Sequence, residues 1–404
     1  MGKHIQLEQR AQALRETREL KMARSTHAYV RGNTAKFYDW LAQSPIAAAL
    51  PQGPAIWICG DCHLGNLGPL ADADGHVAIQ IRDLDQTVIG NPAHDIVRLA
   101  LSLQTAARGS DLPGVVSALM IEAMADGYER AFVPGPDGTL AADTIGEPDI
   151  VRTVRKRALG RKWKHLARER IEDVEPTIPL GKKYWPISRK ERQAVTALVA
   201  TPEVQRLALT SFQSGADSKV HVHDAAYWRK GCSSLGLLRF AVLISVADQS
   251  GTKKLGLIDI KEAIASVAPT VPNARMPRLP AARVVAGARA LAPYLGERMV
   301  ASRLLDKSVF VRELLPQDLK IEVEQFTRTE AIASARYLAH VVGQAHARQM
   351  DEARRAAWLR TLTTSHARSI DAPSWLWNAV VDLAATNEGA YLEHCRRYAL
   401  RAAA

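Results

Sequence analysis

Two carboxylates and one carboxamide stand beside two short apolar runs near the start of the chain. Asp61 follows the first run, Asn66 comes five residues later, and Asp83 follows the second run. On a tight strand–loop–strand unit these side chains would lie together. Phosphoryl transfer needs such a set, because a base must accept the proton of the acceptor hydroxyl and hard oxygen atoms must hold Mg²⁺. We predict Asp61 as the base and Asn66 and Asp83 as Mg²⁺ ligands, with Asp85 as a further ligand.

A purely structural role for the same side chains stays open at this stage. Asp and Asn residues commonly satisfy the backbone of turns, and Asp-Ala-Asp-Gly at 72–75 predicts a hairpin turn between the two strands. Cys59 and Cys62 form a C-x-x-C pattern around Asp61. A redox pair would need a helix N-terminus, and zinc would need a second pair of ligands. Packing is therefore the favoured role of both cysteines.

Length and composition describe a globular chain with a positive field. The 404 residues are 47% hydrophobic and 24% charged, with a formal net charge of +11. No apolar run is long enough to span a bilayer, and the N-terminus lacks the apolar segment of a signal peptide. We expect a cytoplasmic protein without a membrane partner. The charge favours anionic partners, including an anionic small molecule, whereas nucleic acid is less favoured on charge alone.

The elements that must position these residues are predicted from periodicity and turn signals. Helices are predicted at 5–24, 34–42, 149–172, 281–305, 327–349, 351–361 and 375–402, after Asp95, and from Pro113 to about Phe132. Later strands are predicted at 220–222, 235–246, 255–260 and 308–314. Asp95 is placed as the N-cap of its helix. The predicted fold class is therefore α+β, with an antiparallel meander in a largely helical chain.

The predicted helix at 149–172 is strongly basic. It has an apolar stripe, so one face would be buried and the other would carry the arginines and lysines. Two roles stay open for the charged face: an ordinary solvated surface, or a patch that docks an anionic substrate.

The pattern Gly60-Asp61-x-His63-x-x-Asn66 resembles the catalytic loop of the aminoglycoside phosphotransferase and choline kinase branch of the kinase-like superfamily. A closer resemblance, over most of the chain, is to the uncharacterised bacterial family DUF2252. The blocks that resemble this family are Lys21-Met22-Ala23-Arg24-Ser25, Arg31-Gly32, the catalytic-loop block that contains Gly60-Asp61 and Asn66, Asp83-Leu84-Asp85-Gln86-Thr87, Asp95-Ile96-Val97-Arg98-Leu99, the glycine-containing loop Gly231-Cys232-Ser233-Ser234-Leu235-Gly236, Ile260-Lys261-Glu262-Ala263, Val284-Val285-Ala286-Gly287-Ala288-Arg289, Val311-Arg312-Glu313-Leu314 and Ala345-His346-Ala347-Arg348.

The resemblance implies a two-lobed, circularly permuted kinase-like fold with a helical large lobe and a small antiparallel β lobe. In ordinary kinases the glycine-rich loop and the nucleotide lysine precede the catalytic loop, whereas here their counterparts come later. Residues 217–320 would form the β-rich nucleotide-binding lobe, and 1–216 and 321–404 would together form the helical lobe. The implied nucleotide-binding residues are Gly231, Ser233, Ser234, Gly236 and Lys261.

Three departures from the kinase pattern bear on activity. Cys59 replaces the leading histidine of the catalytic loop, and Ser233 replaces the middle glycine of the phosphate loop. The glutamate that pairs with the nucleotide lysine is not evident, because Ala286 stands where the family block usually has Glu. Glu262 and Glu297 are the candidate substitutes.

The predicted function is an ATP- and Mg²⁺-dependent phosphotransferase that acts on a hydroxyl of an unidentified small molecule. One alternative is a catalytically weak, nucleotide-binding pseudokinase that acts through partners. The other is a basic nucleic-acid-binding protein centred on residues 152–170.

Overall fold

A computed structural model describes residues 9–135, 145–161, 177–212, 214–215, 218–231, 235–247, 253–315, 318–319, 326–364 and 373–399. The helices are α1 Arg10–Met22, α2 Thr26–Gly32, α3 Thr34–Gln43, α4 Ala93–Arg108, α5 Gly114–Arg130, α6 Asp149–Leu159, α7 Arg189–Val199, α8 Pro202–Ser211, α9 Pro280–Leu291, α10 Pro293–Gly296, α11 Arg328–Ala347, α12 Glu352–Thr363 and α13 Ser374–His394. A π-helical turn, Cys395–Ala399, follows α13, and 3-10 turns lie at Ala47–Ala49 and Leu64–Asn66.

The strands are β1 Ile56–Ile58, β2 Leu67–Ala71, β3 Val77–Ile81, β4 Val88–Gly90, β5 Tyr184–Trp185, β6 Lys219–Trp228, β7 Arg239–Ala247, β8 Lys253–Glu262, β9 Met299–Leu304 and β10 Lys307–Leu314. β5 to β10 form one antiparallel sheet in the order β5-β6-β7-β8-β10-β9. β2 and β3 form a hairpin, and β1 pairs with β4. The chain is thus mixed α+β with an antiparallel sheet, as the sequence predicts.

One face of the large sheet is apolar because alternate strand residues share a face. Phe240, Val242, Ile258 and Ile260 lie on it and pack against Val195 and other buried residues of α7 and α8. Leu14 of α1 joins the same cluster. These helices precede residue 217, so the packing unit of the sheet includes part of the chain that was predicted with the helical lobe. The division at 216 and 320 stays a prediction.

The other face of the sheet is charged at one end. Arg239, Asp259, Lys261 and Arg312 lie there, since Arg239 pairs with Lys261 and Arg312 pairs with Asp259 in the ladders. Asp259 accepts a hydrogen bond of 2.8 Å from Arg239 and lies 3.0 Å from an Nη of Arg312. Arg312 also donates to the carbonyl of Arg82 at 3.2 Å. This last bond ties the sheet to the end of the small hairpin.

The helical core surrounds α4, α5 and α11. α5 and α11 approach so closely that a Cβ at Gly127 would lie 2.1 Å from the carbonyl oxygen of Arg336. The apolar cluster of this core continues to Phe310 of the sheet and to residues of α9. Part of the sheet therefore joins the helical core, whereas its main apolar face packs separately against α7 and α8.

Two segments differ from the predicted elements. Residues 26–32, which lie between the helices predicted at 5–24 and 34–42, form α2, because Ser25 accepts from Ala28 N and caps a new helix. Residues 299–304, expected to be helical, form β9 and pair with β10. Leu305 and Asp306 have φ of 50° and 62°, the paired positive values of a tight hairpin turn. Leu-Asp is not a usual sequence for that turn, so the signal was missed.

The basic stretch is described only in part. α6 covers Asp149–Leu159 and buries Val151 and Ala158, in line with the predicted apolar stripe. Residues 162–176 lie outside the described residues. Within the described ranges, no helix is both long and apolar enough to cross a membrane.

Candidate active site

The loop between β1 and β2 holds Asp61 and Asn66 in a tight arrangement. Gly60 has φ of +74°, and a Cβ there would lie 2.2 Å from the carbonyl oxygen of Gln86. Asn66 donates from Nδ2 to the carbonyl of Asp61 at 2.9 Å, and its own carbonyl accepts from Arg82 N at 2.7 Å. The hairpin register therefore sets Asn66 beside the residues that follow β3.

Lys261, on β8, contacts residues that follow the hairpin of β2 and β3. Its Nζ lies 3.3 Å from Oδ1 and 3.4 Å from Oδ2 of Asp83, a residue 178 positions earlier. It also contacts Oδ2 of Asp85. The side chain of Lys261 is 3% exposed, whereas that of Asp83 is 46% exposed and opens toward solvent. The structure thus brings together the lysine and the two carboxylates that the sequence selected independently.

The pKa values of the two carboxylates move in opposite directions. Partial burial disfavours the ionised form of the half-exposed Asp83, but the charges of Lys261 and Arg312 hold its pKa well below the usual range. Burial and the neighbouring Asp83 charge raise the pKa of Asp85 to about 6, against the pull of Lys261. One carboxylate is therefore firmly ionised and the other exchanges a proton near neutral pH.

Asp61 is buried and paired with Arg98. Nε of Arg98 donates to Oδ1 of Asp61 at 3.0 Å, and a second contact measures 2.9 Å. Burial raises the pKa of Asp61, while the charge and hydrogen bond of Arg98 lower it. Nε2 of His63 lies 3.9 Å from the other carboxylate oxygen.

Asp95 is not the predicted N-cap. It lies inside the first turn of α4 and is 1% exposed, and the N-cap position of that helix is taken by Pro92. Its carboxylate accepts from Cys59 N at 2.7 Å and Gly60 N at 2.9 Å, and it contacts Nε2 of His346 at 3.1 Å. Asp95 thus fastens the backbone before Asp61 to two helices, a role that local spacing could not reveal.

The glycine-containing loop joins β6 to β7 at the end of the sheet where Lys261 lies. Gly231 and Gly236 have φ of 99° and 104°, which other residues rarely adopt. Lys21 Nζ donates to the carbonyl of Gly231 at 3.2 Å. The predicted residues Ser233 and Ser234 lie outside the described residues.

Neither candidate glutamate pairs with Lys261. Glu262 accepts from Leu238 N at 2.9 Å and lies 3.3 Å from Lys307, because neighbouring strand residues point to opposite faces. Glu297 is exposed after α10. The partners of Lys261 are Asp83 and Asp85 instead.

Cys59 and Cys62 are both fully buried, consistent with packing. The contact with Cys62 and burial raise the pKa of the Cys59 thiol, the opposite of what a reactive thiolate needs. Among the described residues, one group of three acidic, histidine or cysteine side chains could hold a metal ion. It is Asp72, Asp74 and His76, in the hairpin turn and not at the cysteines.

Sequence reasoning missed Arg98 and His346 as functional candidates. Arg98 follows Asp95 by three positions on α4, a spacing that puts both side chains on one helix face. That spacing was the available signal for Arg98. His346 lies 251 positions from Asp95 and has no local signal.

A comparison with known families matches residues 10–397 to DUF2252, described as an uncharacterised protein conserved in bacteria. The chain belongs to the DUF2252 family. No curated protein matches this DUF2252 chain. No solved structure matches it either.

The oxygen atoms at the end of the hairpin fit the needs of Mg²⁺. Asp83 and Asp85 supply carboxylates and Asn66 supplies a carboxamide, the hard ligands that this ion takes. Oδ1 of Asp85 is buried and accepts no hydrogen bond within the described part of the chain. That orphaned oxygen is a ligand atom without a partner, so this DUF2252 site suits a cation.

Proposed function

We propose that the protein is an ATP- and Mg²⁺-dependent phosphotransferase with a circularly permuted kinase-like fold, acting on a hydroxyl of a small molecule. The observation that supports it most is the contact between Lys261 and Asp83, made across 178 positions of sequence. A buried lysine beside metal-binding carboxylates is the arrangement that positions nucleotide phosphates in kinases.

The order of elements in the sheet supports the same proposal. The glycine-containing loop lies between β6 and β7, Lys261 lies on β8, and α9 follows. Protein kinases likewise combine a glycine-rich loop over the phosphates, a lysine on the third strand and a helix after it. In this chain these parts follow the catalytic loop instead of preceding it, and domain termini that lie close together make such permutation feasible.

The roles of the side chains follow from their positions. Asp61 would accept the proton of the acceptor hydroxyl, and Arg98 would hold its carboxylate in place. Asn66, Asp83 and Asp85 would hold Mg²⁺, which when bound neutralises phosphate charge. Lys261 would exchange its carboxylate contacts for the phosphates, with the backbone of Gly231 and Gly236 close by.

A nucleotide-binding protein without turnover is the second candidate. Two observations favour it: Asp61 is engaged by Arg98, and Lys261 has no glutamate partner to orient it among the described residues. Both candidates bind Mg²⁺–ATP, but only the first removes the γ-phosphate.

The test measures ATP binding and γ-phosphate loss on the full chain. We expect ATP to raise the melting temperature only with Mg²⁺, an effect that EDTA reverses, and γ-phosphate loss to fall at least 100-fold in Asp61→Asn. Asp126→Asn, at a half-buried surface ion pair, is the control and should keep its activity.

Binding without γ-phosphate loss would select the second candidate. No binding of ATP, together with nucleic-acid binding that weakens steeply with salt, would reject both.

A further inference from the structure

A second group of cations, Arg31 and Arg98, lies on α2 and α4 beside Asp61. Arg31 is in the last turn of α2, and its guanidinium lies against Gly65, where a Cβ would meet Cζ of Arg31 at 2.8 Å. Gly65 stands inside the loop between Asp61 and Asn66. Because Gly65 has no side chain, the guanidinium of Arg31 can contact the loop between Asp61 and Asn66 directly.

Arg98 stands beside Arg31 and is only partly satisfied. It contacts Asp61 and the carbonyl of Val30, the residue next to Arg31. It is 1% exposed, yet its Nη1 has no hydrogen-bond partner in the described structure. A buried guanidinium with an unused donor is costly unless something accepts from it.

The positive charges of Arg31 and Arg98 also act on two nearby histidines. Burial and the charge of Arg31 lower the pKa of His27 to about 4. Burial, Arg31 and Arg98 also lower the pKa of His63 well below its usual value. His63 is 5% exposed, and its Nδ1 finds no partner among the described residues.

The local charge is not balanced. Arg98 pairs with Asp61, but Arg31 forms no ion pair with any described carboxylate, and its buried Nε donates to no described acceptor. An arginine presents a planar fork that matches a carboxylate or a phosphate. The unpaired donors of Arg31 and Arg98 are therefore suited to bind an anion beside Asp61.

We infer that Arg31 binds an acidic group of the acceptor, so that the substrate is a small molecule with a hydroxyl and a carboxylate or phosphate. This inference rests on the proposed function and narrows it. The cationic acceptors of the choline kinase branch would meet an unfavourable charge here. A group on the nucleotide could offer the same chemistry, and the experiment separates the two sources.

The experiment titrates inorganic phosphate and malonate into the full chain by calorimetry, with and without saturating Mg²⁺ and the non-hydrolysable analogue AMP-PNP. We expect both anions to bind while AMP-PNP is bound. Arg31→Gln should raise their Kd at least tenfold and change that of AMP-PNP less than twofold. Arg24→Gln, an exposed arginine just before α2, removes the same charge and should change neither.

Two results would overturn the inference. Anion binding that is absent, or unchanged in Arg31→Gln, would show that no such pocket exists. An equal loss of AMP-PNP affinity in Arg31→Gln would assign the guanidinium to the nucleotide. Should Arg31→Gln not fold, Arg31→Lys removes the bidentate fork and should raise the Kd of the anions three- to tenfold. Failure of AMP-PNP to bind rejects the proposed function separately, because the titration without nucleotide still tests the anion site.

Discussion

Lys261 occupies a position where its ammonium needs a negative partner. It is 2% exposed, and removing a charge from water costs several kcal/mol unless a counter-charge offsets it. Asp83 and Asp85 supply that charge in this structure. The same two carboxylates are the predicted metal ligands. Bound nucleotide and metal would therefore replace the present contacts between Lys261 and these carboxylates.

Replacing this lysine tests its role directly. Lys261→Met keeps the length of the side chain but leaves two carboxylates without their cation. We expect the Kd for Mg²⁺–ATP to rise at least tenfold and γ-phosphate loss to fall at least 100-fold, measured by fluorescence titration and phosphate release. Lys307→Met, a half-exposed lysine on the same sheet, is the control and should behave as wild type. Unchanged ATP affinity in Lys261→Met would contradict the assignment.

At the scale of elements, the loop before Asp61 is held by the packing of the buried Cys59 and by side chains of other segments that bond to its backbone. Asp95 accepts two amide hydrogen bonds from it, and Thr87 donates to the carbonyl of Ile58. Gly60 completes the turn against Gln86. Two neighbouring segments therefore fix the direction in which Asp61 points.

Two glycines with similar backbone angles separate the effect of this packing from that of φ. Gly60 and Gly75 have φ of 74° and 87°, but a Cβ at Gly75 would meet nothing within 4 Å. We expect Gly75→Ala to cost about 1 kcal/mol, the usual order for a left-handed alanine. Gly60→Ala should cost at least about 3 kcal/mol, because a carbonyl cannot move away cheaply.

Urea unfolding of both variants measures the difference. Equal destabilisation would mean that the loop can shift away from Gln86, and that the turn does not fix Asp61.

At the scale of the whole molecule, two largely buried histidines, on α2 and at the start of α4, make stability depend on pH. Burial lowers the pKa of both His27 and His94 to about 4. Both side chains therefore stay neutral in the folded chain at pH values where they would be charged when unfolded.

The sign of the resulting pH dependence follows from proton binding. Below about pH 6.5 these histidines bind protons in the unfolded chain but not in the folded chain. They therefore lower the free energy of unfolding as the pH falls toward 4. Between pH 7.5 and pH 5 each histidine lowers the free energy of unfolding by about 2 kcal/mol. His27→Gln should therefore gain about 2 kcal/mol relative to wild type over that interval.

Urea unfolding at the two pH values gives the free energy of unfolding for each protein. His76→Gln, an exposed histidine in the hairpin turn, is the control and should shift by less than about 0.5 kcal/mol. A His27→Gln curve parallel to that of wild type would contradict the buried neutral state.

The sequence by itself determined the features that depend on neighbours in the chain. Turn residues at 72–75 predicted the hairpin, and alternation of apolar residues predicted β8, which ends at Glu262 just after Lys261. The family followed from short blocks and is confirmed. The type of β9 was wrong because a segment of six residues takes its conformation from its partner strand, here β10.

Only the tertiary structure decided what each charged group meets. Asp95 was expected to cap a helix, but it binds the backbone of another loop and a histidine 251 positions away. Glu262 and Glu297 were the candidate partners of Lys261, but Lys261 pairs with Asp83 and Asp85. Contacts of this kind join segments that share no local pattern, and a buried charge takes whichever partner the completed packing brings within reach.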